Sequence, residues 1–202
     1  MKKALSLVLA LVMLLAFSAL VLTACSDDTA KDDGTYTVGV VQLVQHPALD
    51  AATKGFIDAL KAELGEENVI IDNQNANNDP STCTTIVNNF VSKKVDLIMA
   101  NATPALQAAA QQANIPVLGT SITEYGVALG IDNFNGLVGG SVSGTSDLAP
   151  LDQQAQMIVD LYPEAEKIAL MYCSSEPNSD YQVKEIRNQL VKLGIKDENI
   201  KD

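Results

Sequence analysis

The sequence predicts an α/β fold: a doubly wound parallel sheet lobe, followed by the start of a second, incomplete α/β lobe. Three observations carry this reading. From Tyr36 onwards, short β-branched apolar runs alternate with segments of helical spacing. The runs are apolar on both faces, as the central strands of a parallel sheet are. A glycine-rich stretch then breaks the alternation before a further helix, strand and helix. Such alternation implies right-handed βαβ units with helices on both sides of the sheet.

Taken in order, residues 36–42 (Tyr-Thr-Val-Gly-Val-Val-Gln) read as a buried strand. Residues 48–64 follow as a helix, with Leu49, Ala52, Phe56, Ala59, Leu60 and Leu64 on one face and Gly65 as its stop. Residues 68–72 form a short second strand. Residues 80–91 form a second helix, with Asp79 as N-cap, Pro80 in the first helical position, and Ile86, Val87, Phe90 and Val91 as its stripe. Residues 95–100 give a third strand, 104–113 an Ala- and Gln-rich third helix, and 115–119 a fourth strand. Residues 126–146 carry Gly126, Gly130, Gly136, Gly139, Gly140 and Gly144 and read as a loop or crossover. Beyond it, 151–161 is helical, 168–173 is a strand, and 180–193 is a last helix closed by Gly194. The expected organisation is a first lobe over 36–143, with its crossover, and a second lobe beginning over 144–202. A lone strand cannot make a sheet, so the second lobe is expected to be part of something longer.

The first residues are of another kind. Lys2 and Lys3 precede an apolar run over 4–21, broken only by Ser6 and Ser18, which ends in Leu22-Thr23-Ala24-Cys25. This is the pattern of a secretory signal peptide over 1–24. Its end resembles the lipobox of bacterial lipoproteins, in which the Cys, here Cys25, is lipidated. The other reading of the run is a membrane anchor helix. Residues 25–35 form a polar, acidic linker. The formal net charge is −12, which speaks for solubility and against a nucleic-acid partner. Beyond Cys25 the cysteines are Cys83 and Cys173, read as small buried or half-buried residues and not as a disulfide. His46 is the single histidine, there is no Cys-x-x-Cys, and no zinc site is expected.

Ligands of doubly wound sheets bind beyond the carboxyl ends of the strands. The segments there are 42–47, 101–104, 120–123 and, in the second lobe, 174–179, all rich in small polar groups. Thr103 can cap the third helix, whose first N–H groups and dipole would attract a carboxylate; capping and ligand contact are compatible. Ser179 can cap the last helix, and Glu176 can accept hydrogen bonds from an ammonium group or lie in a solvated loop. Gln42 and His46 read equally as ordinary loop residues. There is no Gly-x-Ser-x-Gly elbow, no phosphate loop and no dinucleotide fingerprint, so neither an enzyme nor a cofactor is expected.

Several stretches together resemble the ABC-transporter substrate-binding proteins of the tryptophan/tyrosine type. They are residues 40–50 (Val-Val-Gln-Leu-Val-Gln-His-Pro-Ala-Leu-Asp), 73–76 (Asn-Gln-Asn-Ala), 102–107 (Ala-Thr-Pro-Ala-Leu-Gln), 121–123 (Ser-Ile-Thr), 143–147 (Ser-Gly-Thr-Ser-Asp) and 174–179 (Ser-Ser-Glu-Pro-Asn-Ser). The resemblance implies a type I periplasmic-binding fold, two α/β lobes closing over a small-molecule ligand. It also implies an ABC permease and its ATPase as partners, and a lipid-anchored place on the outer face of the cell membrane. By it, ligand contact falls on Gln42, His46, Thr103, Thr123, Ser146, Asp147, Ser175, Glu176, Asn178 and Ser179. Full-length members of the family are longer. Where they often have Asp-Pro after Ile-Thr, this chain has Glu124-Tyr125, which alters the entrance to the crossover; 126–143 also departs from the family pattern. The competing ligands are a sugar, a purine or a branched-chain amino acid, and the competing role is a receptor's sensing domain. The absence of Trp counts against a stacked sugar ring.

Overall fold

The computed structural model describes residues 34–112 and 114–202; the expected signal peptide, Cys25 and most of the expected linker lie outside them. A five-stranded sheet, all parallel, runs in the order β2-β1-β3-β4-β5. Its strands are β1 (Tyr36–Gln42), β2 (Val69–Asn75), β3 (Leu97–Asn101), β4 (Val117–Ile122) and β5 (Val142–Ser146). The connecting helices are α1 (Pro47–Leu64), α2 (Pro80–Ser92), α3 (Thr103–Ala110) and α4 (Tyr125–Leu129). After β5 come α5 (Leu151–Leu161), β6 (Ile168–Ala169), α6 (Pro177–Lys192) and β7 (Ile200–Lys201), with β6 and β7 paired in a second, two-stranded parallel sheet.

Side-chain alternation along the strands assigns the two faces. Val38, Val40 and Met99 point toward α1, where Phe56 and Leu60 pack against them. Val41, Ile98, Ala100 and Val117 point the other way, into the larger core with Ile86, Val87 and Phe90 of α2 and Ala105 and Leu106 of α3. Fully buried side chains such as Phe90 and Ile98 contribute about 1.5–3 kcal/mol each relative to exposure. Gly39 is required here, because a Cβ would lie 2.5 Å from Phe90 Cδ2, closer than van der Waals contact allows.

Asp79 caps α2 as expected, accepting from Ser81 N at 2.9 Å. Elsewhere the structure departs from expectation. The segment read as loop or crossover holds α4 and β5. Glu124 starts α4 by accepting from Gly126 N at 3.0 Å and Val127 N at 2.6 Å. Tyr125, 5% exposed, places its hydroxyl against Gly119 and Gly144, where a Cβ at either position would collide with it. That hydroxyl lies 3.1 Å from Gly119 O and 3.3 Å from Thr145 O, stitching β4 to β5 beside a register shift between Gly119 and Ile122. β5 is a glycine-containing edge strand and lacks the apolar signal of a central one. It also crosses the 143/144 position at which the sequence places the lobe boundary.

The strand of the second part is not alone. β7 pairs with β6, with Leu170 N donating to Lys201 O at 2.7 Å, and Arg187 of α6 donates to Ile200 O at 3.1 Å. Ile200, Leu190 and Ala155 form a second small core. The partner strand is two residues long, so β6 covers Ile168–Ala169 and not 168–173, and Met171 is 99% exposed. Cys83 is buried in the larger core, and burial followed by the Asp79 charge pushes its thiol up to about 11. Cys173 is exposed, contrary to expectation, because the strand ends before it; both thiols are free.

Two outcomes test this packing. Gly39→Ala should cost about 1–3 kcal/mol in urea unfolding through overpacking against Phe90; an unchanged midpoint would contradict the β1–α2 contact. In native protein at pH 8, a thiol reagent should modify Cys173 and leave Cys83 untouched until unfolding; rapid labelling of Cys83 would show that the α2 core is open.

Candidate functional site

Because all five strands are parallel, their carboxyl ends meet along one rim, and hydrogen bonds tie each exit to the next. Leu43 N donates to Asn101 O at 3.2 Å, joining the exits of β1 and β3. Ala102 N donates to Thr120 O at 3.1 Å, joining β3 to β4. Asp147 N donates to Ile122 O at 3.0 Å, and the Ser146 hydroxyl donates to Thr123 O at 2.8 Å, joining β4 to β5. The rim therefore gathers Gln42, His46, Thr103, Thr123, Ser146 and Asp147 from four different exits. In the order β2-β1-β3-β4-β5, successive connections switch direction between β1 and β3, the place where open α/β sheets hold ligands.

The floor of that crevice is a buried hydrogen-bond chain. Asn101 Nδ2 donates to Leu49 O at 2.8 Å and to Thr53 Oγ1 at 2.9 Å. The Thr53 hydroxyl donates to Gln42 Oε1 at 2.7 Å, and Gln42 Nε2 donates to Val44 O at 2.9 Å and Asp50 Oδ1 at 2.6 Å. Gln42 is 5% exposed and both ends of its amide are engaged, so it locks the start of α1 onto the sheet. His46 is the N-cap of α1: its Nδ1 accepts from Ala48 N at 3.2 Å, and its side chain is exposed. Beside this floor, toward β2, a cleft of about 370 Å³ is lined by Gln45, Asp50, Lys54, Asn73 and Asn75 among others.

α3 begins unlike its neighbours. Its N-cap is Ala102, at φ 88° and ψ 157°, and no side chain caps the helix. Thr103 is therefore the first helical residue and not the cap. It is 2% exposed, as buried as the rest of the first turn, and its Oγ1 has no hydrogen-bond partner. Asn101 Oδ1, one residue before Ala102, is likewise buried without a partner. An uncapped helix start beside a buried, unpartnered hydroxyl and amide oxygen is a candidate place for a polar ligand group.

Around the rim from α3, Thr123 is 9% exposed, and the Ser146 hydroxyl is occupied by its bond to Thr123 O and by Leu148 N at 3.2 Å. Asp147 is exposed. Burial, and then the Asp147 charge, pushes the Tyr125 hydroxyl up to about 12, so it stays a neutral donor to the β4 and β5 carbonyls.

The second-lobe segment forms the turn into α6. Glu176 is the N-cap position with no side-chain cap, so the helix starts at Pro177 and Ser179 does not cap it. Instead Ser179 Oγ accepts from Cys173 N at 3.0 Å, and Ser175 Oγ lies 3.2 Å from Cys173 Sγ. Asn178 Nδ2 donates to Glu176 Oε2 at 3.3 Å, while its Oδ1 is buried without a partner. α6 packs on α4, which brings Tyr181 near Glu124; burial, then Glu185 and Glu124, raise the Tyr181 hydroxyl. In the sequence Asn101 and Ala102 are post-strand residues with no role of their own. The signal available was the absence of any linker between a strand and Thr-Pro. The partners Thr53 and Asp50 carried none, lying inside a helix that reads as ordinary.

Residues 37–201 match the family of ABC transporter substrate-binding proteins. A tyrosine-binding protein of Clostridioides difficile is 40% identical over 195 residues, 90% of this chain and 55% of that protein. Among solved structures, an ABC domain from Streptococcus pneumonia in complex with L-Trp is similar, with 35% identity and TM-score 0.74, over 83% of this chain and 56% of the other. So is a ligand-free, open substrate-binding protein with adhesive properties from Clostridium difficile, with 39% identity and TM-score 0.63, over 80% and 56%. The chain thus spans about half the length of the relatives it matches. With its family match over residues 37–201, this chain belongs to the ABC transporter substrate-binding proteins.

Proposed function

We propose that this protein is the extracytoplasmic solute-binding lipoprotein of an ABC importer, tethered through Cys25, and that it captures an aromatic amino acid between two lobes. The observation that carries the ligand class is the start of α3, buried, uncapped and flanked by the unpartnered Thr103 hydroxyl at the crevice between β1 and β3. The N–H groups of Thr103 and Ala105, with the helix dipole, suit a carboxylate, since Pro104 contributes no donor. Relatives that bind tyrosine or carry L-Trp agree with an amino acid whose side chain is aromatic.

In this reading the carboxylate sits on α3 and receives the Thr103 hydroxyl. Asp147 on the rim, or Glu176 from the second lobe, takes the ammonium through a charge-assisted bond. Thr123 and Ser146 border the ligand. Gln42 and His46 set the floor and wall through α1, and Ser175, Asn178 and Ser179 close over from the α6 turn. The second lobe is the segment beyond β5 and Asp147. Ligand drives closure only through contacts it makes better in the closed form, and the closed form docks on a permease and its ATPase. The acyl chains on Cys25 keep the protein at the membrane.

Thermal-shift screening of the full chain checks the class: tyrosine, tryptophan or phenylalanine should raise the melting temperature and sugars should not. A rise with a sugar alone contradicts the reading. Thr103→Val should weaken amino-acid binding about tenfold. It should leave ligand-free stability unchanged or higher, because it removes an unpartnered buried hydroxyl. Undiminished affinity would move the carboxylate elsewhere.

A further inference from the structure

We infer that Ala102 is a positioning residue for ligand capture: its strained backbone holds the first N–H groups of α3 against the crevice. The inference rests on the carboxylate reading above and adds how the site is kept in shape. At φ 88° and ψ 157°, Ala102 occupies a region that is essentially reserved for glycine. The chain imposes this from both sides. The β3 ladder persists to its last residue, with Leu43 N on Asn101 O at 3.2 Å and Ala102 N on Thr120 O at 3.1 Å. The helix begins at once, with Leu106 N on Ala102 O at 3.0 Å. One residue therefore makes the whole strand-to-helix turn.

Glycine would make that turn without strain, yet an alanine is there, and the residues on either side each bury an unpartnered polar atom, Asn101 Oδ1 and Thr103 Oγ1. Three successive residues break local rules at the point where the rim hydrogen bonds converge, and such breaches concentrate where a ligand is clamped. The β-methyl has a use that glycine lacks. It packs against the larger core, an anchor that keeps the turn, and with it the Thr103 and Ala105 N–H groups, in place before ligand arrives, which cuts the ordering cost of binding.

The test is Ala102→Gly in the full chain, with two probes. Removing the strain should raise the ligand-free melting temperature by about 2–4 °C for a chain of this size. Affinity should move the opposite way. Acetate, followed by amide NMR shifts at Thr103 and Ala105, and L-tyrosine, followed by calorimetry, should each bind about fivefold more weakly or worse, a typical loss for a mispositioned charge-assisted contact. A purely structural role would move the melting temperature and leave both affinities alone. Equal or tighter acetate binding in the variant, or a lowered melting temperature, overturns the inference. So does a wild-type chain whose Thr103 and Ala105 amides ignore acetate. A wild-type chain that binds acetate at those amides but neither tyrosine nor tryptophan removes the amino-acid reading, and the acetate arm still decides the role of Ala102.

Discussion

The passage from β3 to α3 through Ala102 alone is the constraint on which the rest of the site depends. A longer connection would let α3 start outside the sheet, where water or a capping side chain could satisfy its first donors. With one residue, the helix starts level with the strand ends and is buried among them, as Thr103, Pro104, Ala105 and Leu106 are. The same turn fixes Asn101, whose amide reaches Leu49 and Thr53 of α1, so the two helices flanking the β1–β3 crevice are referenced to one residue.

Around this hub the rim is rigid for identifiable reasons. Gln42 ties α1 to β1, and Tyr125 ties β4 to β5 through two carbonyls while Gly119 and Gly144 leave it room. The Glu124-Tyr125 pair thereby gains a physical role. Glu124 caps the short α4 and Tyr125 braces the edge strand that carries Ser146 and Asp147. The segment beyond β5 is built more lightly, with a two-stranded sheet on a small core of Ala155, Leu190 and Ile200. A braced first sheet and a lighter segment beyond it suit the proposed binding cycle, in which one face stays fixed and the other moves over it.

The alternation of strands and helices was legible because central parallel strands must be apolar on both faces, and 36–42 and 97–101 are. The rim followed from topology, since parallel strands end on one side. What the residues concealed was of two kinds. β5, Val-Ser-Gly-Thr-Ser, is an edge strand shaped by a tyrosine from another element, so its glycine reads as loop chemistry although it is packing chemistry. Thr-Pro normally marks a cap followed by its first helical residue, so the sequence places Thr103 at the cap of α3. The absence of a linker moved Thr103 one position inward, and only a structure reveals the resulting strain and the orphaned hydroxyl. His46, by sequence a loop residue and by family resemblance a ligand contact, caps α1.

The central claim is that the α3 start and the rim around it receive the ligand. Residue-resolved amide hydrogen exchange of the full chain, with and without saturating L-tyrosine, tests it most directly. The account predicts that ligand slows exchange at Thr103 and Ala105, with Thr123 and Asp147 following, while the core strand amides of Val40 and Ile98 are unaffected. Protection confined to the cleft beside β2, at Asn73, Asn75 and Lys54, or no protection at Thr103, would contradict it.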